Sequence, residues 1–216
     1  MRNNHRARLL IADGHKLVAE ACRKMLEPEF DVVGVVTNGR ALVKAAVELR
    51  PEVVILEAFM PELNGLDAGE QIKQANWMIK LVYLTMDSSQ DTAVEALRRG
   101  ACGYVLKVGA AEELLIAVRR AACGHSYLSP LITKDTLELV LRANTSSIPS
   151  RKTITPRQRE ILQLHAEGKA MKEMAQILGL QAGTIAFHKY RIMKVLGINT
   201  NAGLVAYAFK HRLVAK

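Results

Sequence analysis

The chain has 216 residues, 50% of them hydrophobic and 24% charged. That length exceeds the usual single domain and that apolar share fills real cores, so a disordered polyelectrolyte is excluded and two domains are expected. The net charge of +9 lies wholly in residues 151–216, which hold 12 Lys and Arg against 3 Asp and Glu, while residues 1–150 balance. A neutral first part and a small basic second part point to one unit that meets a polyanion, nucleic acid being the common case.

Three cysteines, Cys22, Cys102 and Cys123, are odd in number and lack CxxC spacing. Reduced, buried thiols are therefore expected rather than disulfides or a zinc site. The opening MRNNHRARLLIAD has an apolar run too short for a signal peptide or a membrane span, which gives an expected cytoplasmic location and no membrane partner.

From the start, strand-like runs alternate with helical patterns: ARLLIAD then residues 15–26, FDVVGVV then 40–49, EVVILE then 65–74, LVYLTM then 92–98, and GYVLK then 112–122. Five β/α units in strict alternation predict a five-stranded parallel sheet with helices on both faces. Leu17, Ala21 and Met25, and likewise Ala41, Ala45 and Leu49, recur at spacings of four and are expected to be core-facing stripes. The run at residues 53–56, four apolar positions, suits a central strand buried on both faces. Ligands in such sheets bind beyond the carboxyl ends of the strands, where Asp13, Glu57, Thr85 and Lys107 stand.

Gly124 ends the pattern, and SPLITKDTLELVLR predicts a connector helix with Ser129 as N-cap and Pro130 in its first turn. Residues 143–152, ANTSSIPSRK, are polar, aperiodic and proline-containing, as in a linker. The expected division is a first domain at 1–125, connector and linker at 126–152, and a second domain at 153–216. That domain opens on a capping box of Thr155 and Gln158 with Pro156 in the first turn, and Gly168 stops the helix. A short helix at 172–178, a turn at Gly179 and Leu180, and a third helix at 182–196 read as a helix-turn-helix.

Residues 155–213, through TPRQREILQL, AEGK, KEMAQILGL, TIAFHKYRIMKVLGI and NAGLVAYA, closely resemble the LuxR-type DNA-binding domain. The first part resembles the flavodoxin-like receiver of two-component response regulators in AD before His15, MPELNGLDA, Thr85 and GYVLK. Together they resemble response regulators of the NarL/FixJ group. The resemblance implies an α/β receiver followed by an all-α DNA-binding domain, double-stranded DNA as partner, a homodimer, and a sensor kinase or other regulatory protein as a further partner.

In such receivers an aspartate accepts a phosphoryl group over a bound divalent metal. This chain departs twice: the phospho-acceptor position is Glu57, and the second metal-binding acid, after Asp13, is Gly14. Magnesium wants near-octahedral oxygen ligands, so its binding is expected to be weak or absent. The extra methylene of Glu57 shifts its oxygens by on the order of 1 Å, enough to cost about a hundredfold in rate. Phosphorylation is not expected. Two readings of Glu57 stand: it mimics the charged state, with Thr85 and Tyr104 matching the residues that rearrange on activation, or it pairs with Lys107 in a fixed dimerisation scaffold.

At about 100° per residue, Ile185, His188, Ile192, Val195 and Leu196 share the packing face of the third helix, and Gly183, Ala186, Phe187, Tyr190 and Lys194 lie opposite. Lys189, Arg191 and Lys194 suit phosphates, whereas Ala186, Phe187 and Tyr190 suit base edges or thymine methyls. Thr184 completes the expected DNA-binding set, and partial burial against the preceding helix is the alternative for Phe187 and Tyr190. In a last helix, residues 202–212, Leu204, Val205 and Ala208 form a stripe expected to meet a symmetry partner. A sequence-specific regulator with a phosphorylation-independent receiver leads. A protein-interaction module that titrates a kinase is the alternative. No catalytic constellation or metal-ligand spacing is visible to support an enzyme.

Overall fold

The computed structural model describes residues 6–109, 111–132 and 154–214. The chain divides into two compact units, an α/β unit with every described strand and a helical unit. No helix among the described residues is long and apolar enough to cross a membrane.

In the first unit β1 (Arg8–Ala12), β2 (Asp31–Val36), β3 (Val53–Leu56), β4 (Lys80–Thr85) and β5 (Ala101–Leu106) alternate with α1 (Lys16–Leu26), α2 (Gly39–Leu49), α3 (Gly65–Ala75), α4 (Gln90–Arg98) and α5 (Ala111–Ala122). With a short sixth strand, β6 (Tyr127–Leu128), the sheet is parallel in the order β2-β1-β3-β4-β5-β6. All four residues of β3 are buried, as a central strand between β1 and β4 requires.

The sixth strand, β6 (Tyr127–Leu128), corrects the expected five. Two residues carry no periodicity to detect, and the strand forms because β5 leaves an open edge that Ser129 N–H extends onto Tyr104 C=O. The buried Ser129 hydroxyl donates to Glu113 Oε2 at 2.7 Å. The connector helix beyond it and the linker at 143–152 lie outside the described residues.

Two stripes are also corrected. On α1 the buried positions are Ala19, Cys22 and Leu26, while Leu17 is 84% exposed and Ala21 is exposed. Spacing alone chose the wrong one of two adjacent apolar rows; Leu17, Ala21 and Met25 instead line an open groove with Met86 and Leu114. On α2 the buried positions are Gly39, Leu42 and Ala46, with Ala41, Ala45 and Leu49 half-buried beside them. Asn38 caps that helix by accepting from Ala41 N–H at 2.8 Å. Of the cysteines, all of them free thiols, Cys22 is buried and burial raises its pKa to about 11, but Cys123 is exposed at the end of α5.

The helical unit contains α6 (Pro156–Ala166), α7 (Met171–Leu178), α8 (Ala182–Leu196) and α9 (Asn201–Lys210). Its core joins Ile161, Leu164, Met174, Leu178, Ile185, Ile192 and Leu204. The expected capping box forms on α6: Gln158 N–H donates to Thr155 Oγ1, and Thr155 N–H to Gln158 Oε1. At the other end of α7, Gly179 turns the chain with φ of 62°, a left-handed conformation that glycine adopts without a Cβ clash. Arg157 of α6 donates to the Leu178 carbonyl at 2.6 Å, so a cation satisfies the carbonyl end of α7 and fastens the helix-turn-helix to α6.

The stripe expected on the last helix is rotated. Leu204 and Ala208 are fully buried in the unit's own core, and the outward row is Ala202, Ala206 and Phe209. Leucine was more useful inside, where a small domain needs it.

Candidate functional site

The strand ladders carry past their ends and align the polar residues that follow. Leu56 pairs with Ala12, and Glu57 N–H then donates to Ala12 C=O at 3.0 Å, which sets Glu57 beside Asp13. Lys107 N–H likewise donates to Thr85 C=O at 2.8 Å. The loop after Glu57 returns close to it: a Cβ on Gly65 would stand 2.0 Å from the Glu57 carbonyl oxygen, so only glycine fits there.

Lys107 Nζ lies 2.6 Å from Asp13 Oδ2 and 2.7 Å from Glu57 Oε2, with side-chain exposures of 8%, 4% and 7%. Burial works against the ammonium, yet its bonds to Asp13 and Glu57 outweigh this and raise its pKa above the usual lysine value. The remaining oxygens are taken as well. Asp13 Oδ1 accepts from His15 N–H at 2.9 Å, and Glu57 Oε1 accepts from Ala58 N–H at 2.6 Å and Phe59 N–H at 3.3 Å.

A divalent metal does not fit this donor set. Every carboxylate oxygen of Asp13 and Glu57 has a nitrogen within contact distance, the ammonium stands between the two acids, and Gly14 supplies no side chain. Hard cations need several free oxygens at fixed geometry. Among the described residues no group of three or more His, Cys, Asp or Glu is arranged to hold one.

Thr85 and Tyr104 are fully buried and turn to the β4–α4 loop. Thr85 Oγ1 accepts from Asp87 N–H at 3.2 Å, and Tyr104 donates its hydroxyl proton to Asp87 C=O at 2.7 Å. The Tyr104 ring stacks on Tyr83 with centroids 6.3 Å apart. The structure therefore joins Asp13, Glu57 and Lys107 in one ionic triad and uses Thr85 and Tyr104 to hold the loop.

Sequence reasoning missed Asp87 and Arg99. Asp87 Oδ1 accepts from Ser89 N–H and Oδ2 from the Thr92 hydroxyl at 2.5 Å, an Asx turn into α4 whose signal was a short Asp-Ser-Ser run before a helix. Arg99, at the end of α4, reaches Asp67 at 2.7 Å, Glu70 at 2.9 Å and Glu95 at 2.7 Å. Only the Glu95 pair, four residues away, was readable from spacing. Burial opposes the guanidinium charge, and its bonds to Asp67 and Glu95 still raise its pKa. Both ends of α4 are thus fastened.

On α8 the exposed positions are Ala182, Gly183, Ala186, Phe187, Tyr190, Arg191 and Lys194, a continuous row at helical spacing. Phe187 is 55% and Tyr190 66% exposed, so each ring is buried only in part. Arg191, expected to serve phosphates from the flank, has its guanidinium carbon 5.6 Å from the Phe187 ring centre. Thr184 and Lys189 are half-buried at the edges. Lys189 lies close enough to His165 of α6 to add to burial in lowering that imidazole's pKa. The packing face is as expected: Ile185 and Ile192 are buried and His188, Val195 and Leu196 partly so.

The family described as "Response regulator receiver domain" matches residues 9–119, and "Bacterial regulatory proteins, luxR family" matches residues 152–208. The transcriptional regulatory protein MctR of Rhizobium johnstonii is 32% identical, with 100% of this chain and 99% of MctR covered. Among solved structures, RcsB from Salmonella enterica serovar Typhimurium bound to promoter P1flhDC aligns with 27% identity and a TM-score of 0.58, covering 94% of this chain and 98% of RcsB. A structure of two RcsB dimers bound to two parallel DNAs aligns with 26% identity and a TM-score of 0.56, at the same coverage. With one family matched over half of the chain and a relative similar over its whole length, the chain belongs to the transcriptional response regulators that join a receiver domain to a LuxR-type helix-turn-helix.

Proposed function

We propose that this protein is a cytoplasmic, sequence-specific transcriptional regulator that binds double-stranded DNA as a homodimer and whose receiver is not switched by phosphorylation. It acts as a regulator rather than as an enzyme. Residues 1–125 serve as receiver, 126–152 as connector and linker, and 153–216 as DNA-binding domain. The DNA-bound, dimeric RcsB structures and the basic charge of the last third support the DNA and dimer parts of this reading.

The observation that carries the receiver part is the Lys107 ammonium held between Asp13 and Glu57 at 2.6 and 2.7 Å. Phosphoryl transfer depends on positioning and on charge neutralisation by metal and lysine. Here the lysine's charge is already neutralised by carboxylates, and the acid that would accept the group is bonded at both oxygens. The triad therefore does internally what metal and phosphoryl do together in a switched receiver: it balances the charge at the strand ends. Its occupancy does not depend on a donor, which leaves the receiver in one state.

Incubation of the full-length chain with a small phosphodonor and magnesium tests this, read by intact mass and by DNA affinity in parallel. No adduct and an unchanged affinity are expected. A stoichiometric phosphoryl adduct that alters DNA binding would overturn the receiver part; failure to bind any duplex at low salt would overturn the DNA part.

A further inference from the structure

The row of side chains that α8 presents to solvent has an unusual chemistry for a helix that reads bases. In the major groove guanine is read by Arg or Lys, adenine by Asn or Gln, cytosine by Asp or Glu, and thymine by apolar contact with its C5 methyl. The row from Gly183 to Lys194 contains no Asn, Gln, Asp or Glu. Its N-terminal half, the part of such a helix that contacts base edges, is Gly183, Ala186 and Phe187. Both cations lie in the C-terminal half, and one of them, Arg191, is seated over the Phe187 ring.

Two further observations point to a partner for this surface. Phe187 leaves more than half of its surface in water, 55%, although the unit has a core of its own to fill. Glycine is a poorer helix former than alanine, and Gly183 stands in the first turn of α8. Nothing among the described residues requires that glycine: a Cβ there would meet none of their atoms within 4 Å, and its φ is not left-handed. A bare backbone beside an exposed aromatic ring suits close approach of the helix to another molecule.

We infer that α8 reads its target through thymine C5 methyl groups, with Phe187 as the specificity-determining side chain, Ala186 beside it, and Arg191 as the positioning residue that holds the ring flat toward the groove. The inference rests on the proposed DNA-binding function and names the feature of DNA that it selects. Tyr190, one turn on, contributes its ring edge and leaves its hydroxyl for a base or phosphate oxygen. Lys194 contacts phosphate and carries no sequence information.

The test uses the full-length protein and the duplex it enriches from a randomised library. In that duplex each thymine is replaced singly by deoxyuridine, which deletes the methyl and keeps the base pair. Uracil at one or two positions per half-site is expected to weaken binding by about fourfold each, the factor that burial of one methyl-sized group gives. Phe187→Ala should bind thymine and uracil duplexes alike, and Phe187→Leu should restore part of the difference. Arg191→Ala should narrow the thymine-to-uracil ratio and Lys194→Ala should leave it unchanged. Because the first comparison uses the unaltered protein, it does not depend on any variant folding. Equal affinity for thymine and uracil duplexes, with the enriched duplex still preferred over a scrambled one, would overturn the methyl readout and leave DNA binding standing. No preference for the enriched duplex would instead remove the proposed function and this inference with it.

Discussion

The strand-end pocket of the receiver and the outer face of α8 both carry charged residues, yet they are opposites in how those charges are satisfied. In the pocket, Asp13, Glu57 and Lys107 are nearly water-free and their bonds close on one another and on backbone N–H groups. On α8, Phe187, Tyr190, Arg191 and Lys194 stand in solvent, with only the Arg191–Phe187 contact between them. In the pocket the ammonium of Lys107 is balanced within the protein by the two carboxylates. A face whose groups are unspent gains by meeting a polyanion. On the proposed function, the first does structural work and the second binding work.

The strongest way to break it is to remove the lysine. Lys107→Ala leaves two buried carboxylates facing each other, a loss expected to cost about 3–5 kcal/mol of receiver stability. Urea denaturation followed by circular dichroism measures it; a change below about 1 kcal/mol would mean that water reaches the pocket freely and that the contrast with α8 is false.

Tyr190→Ala probes the other side. It should cost on the order of 1 to 3 kcal/mol on the preferred duplex and much less on scrambled DNA, with no effect on unfolding. Equal losses on both duplexes would mean that Tyr190 positions the helix and does not read bases.

Tyr104→Phe sharpens the description of the loop. It removes one hydrogen bond to Asp87 C=O, worth about 1 kcal/mol, and amides of residues 86–90 should exchange faster while the sheet stays protected. Unchanged exchange there would show that Thr85 and the Asx turn hold the loop alone. Lys194→Ala is expected to lower affinity on every duplex and to reduce the log-log salt slope by roughly one, as loss of one phosphate contact does. A sequence-selective loss in its place would mean that α8 is rotated in the groove.

The smallest effect concerns His165. Burial first, and Lys189 second, hold its pKa below the ordinary 6.5. Near that pH the folded state then binds fewer protons than the unfolded state, so stability rises with pH and is lost as pH falls through the unfolded value. The helical unit should unfold more readily on acidification through this range, and His165→Gln should flatten the profile. A slope of the same size in the variant would assign it to another group.

Much of this was legible before the fold was known, because it rests on local rules. Alternation of apolar runs with helical patterns placed β1 to β5 and α1 to α5 within a few residues, and the Thr155–Gln158 box located the start of α6. The exposed row on α8 followed from a period of 3.6 residues per turn. The misses have one character. Leu17, Ala21 and Met25 satisfy the same spacing as Ala19, Cys22 and Leu26, and period alone does not tell which row meets the sheet. Leu204 and Ala208 were assigned to a partner molecule because the depth of the unit's own core is a property of several helices at once.

By itself the sequence determined the architecture, the residue types at each strand end, and the concentration of positive charge in the last third, since each depends on neighbours along the chain. Only the tertiary structure decided that Glu57 closes on Lys107 and not on Thr85, that Tyr104 and Asp87 fasten α4, that β6 joins the sheet, and that Arg191 lies over Phe187. The reason is geometric. Those contacts join atoms from separate elements, and their formation depends on differences of an ångström or two in how strand ends and helix faces converge, a length shorter than any periodicity in a sequence resolves.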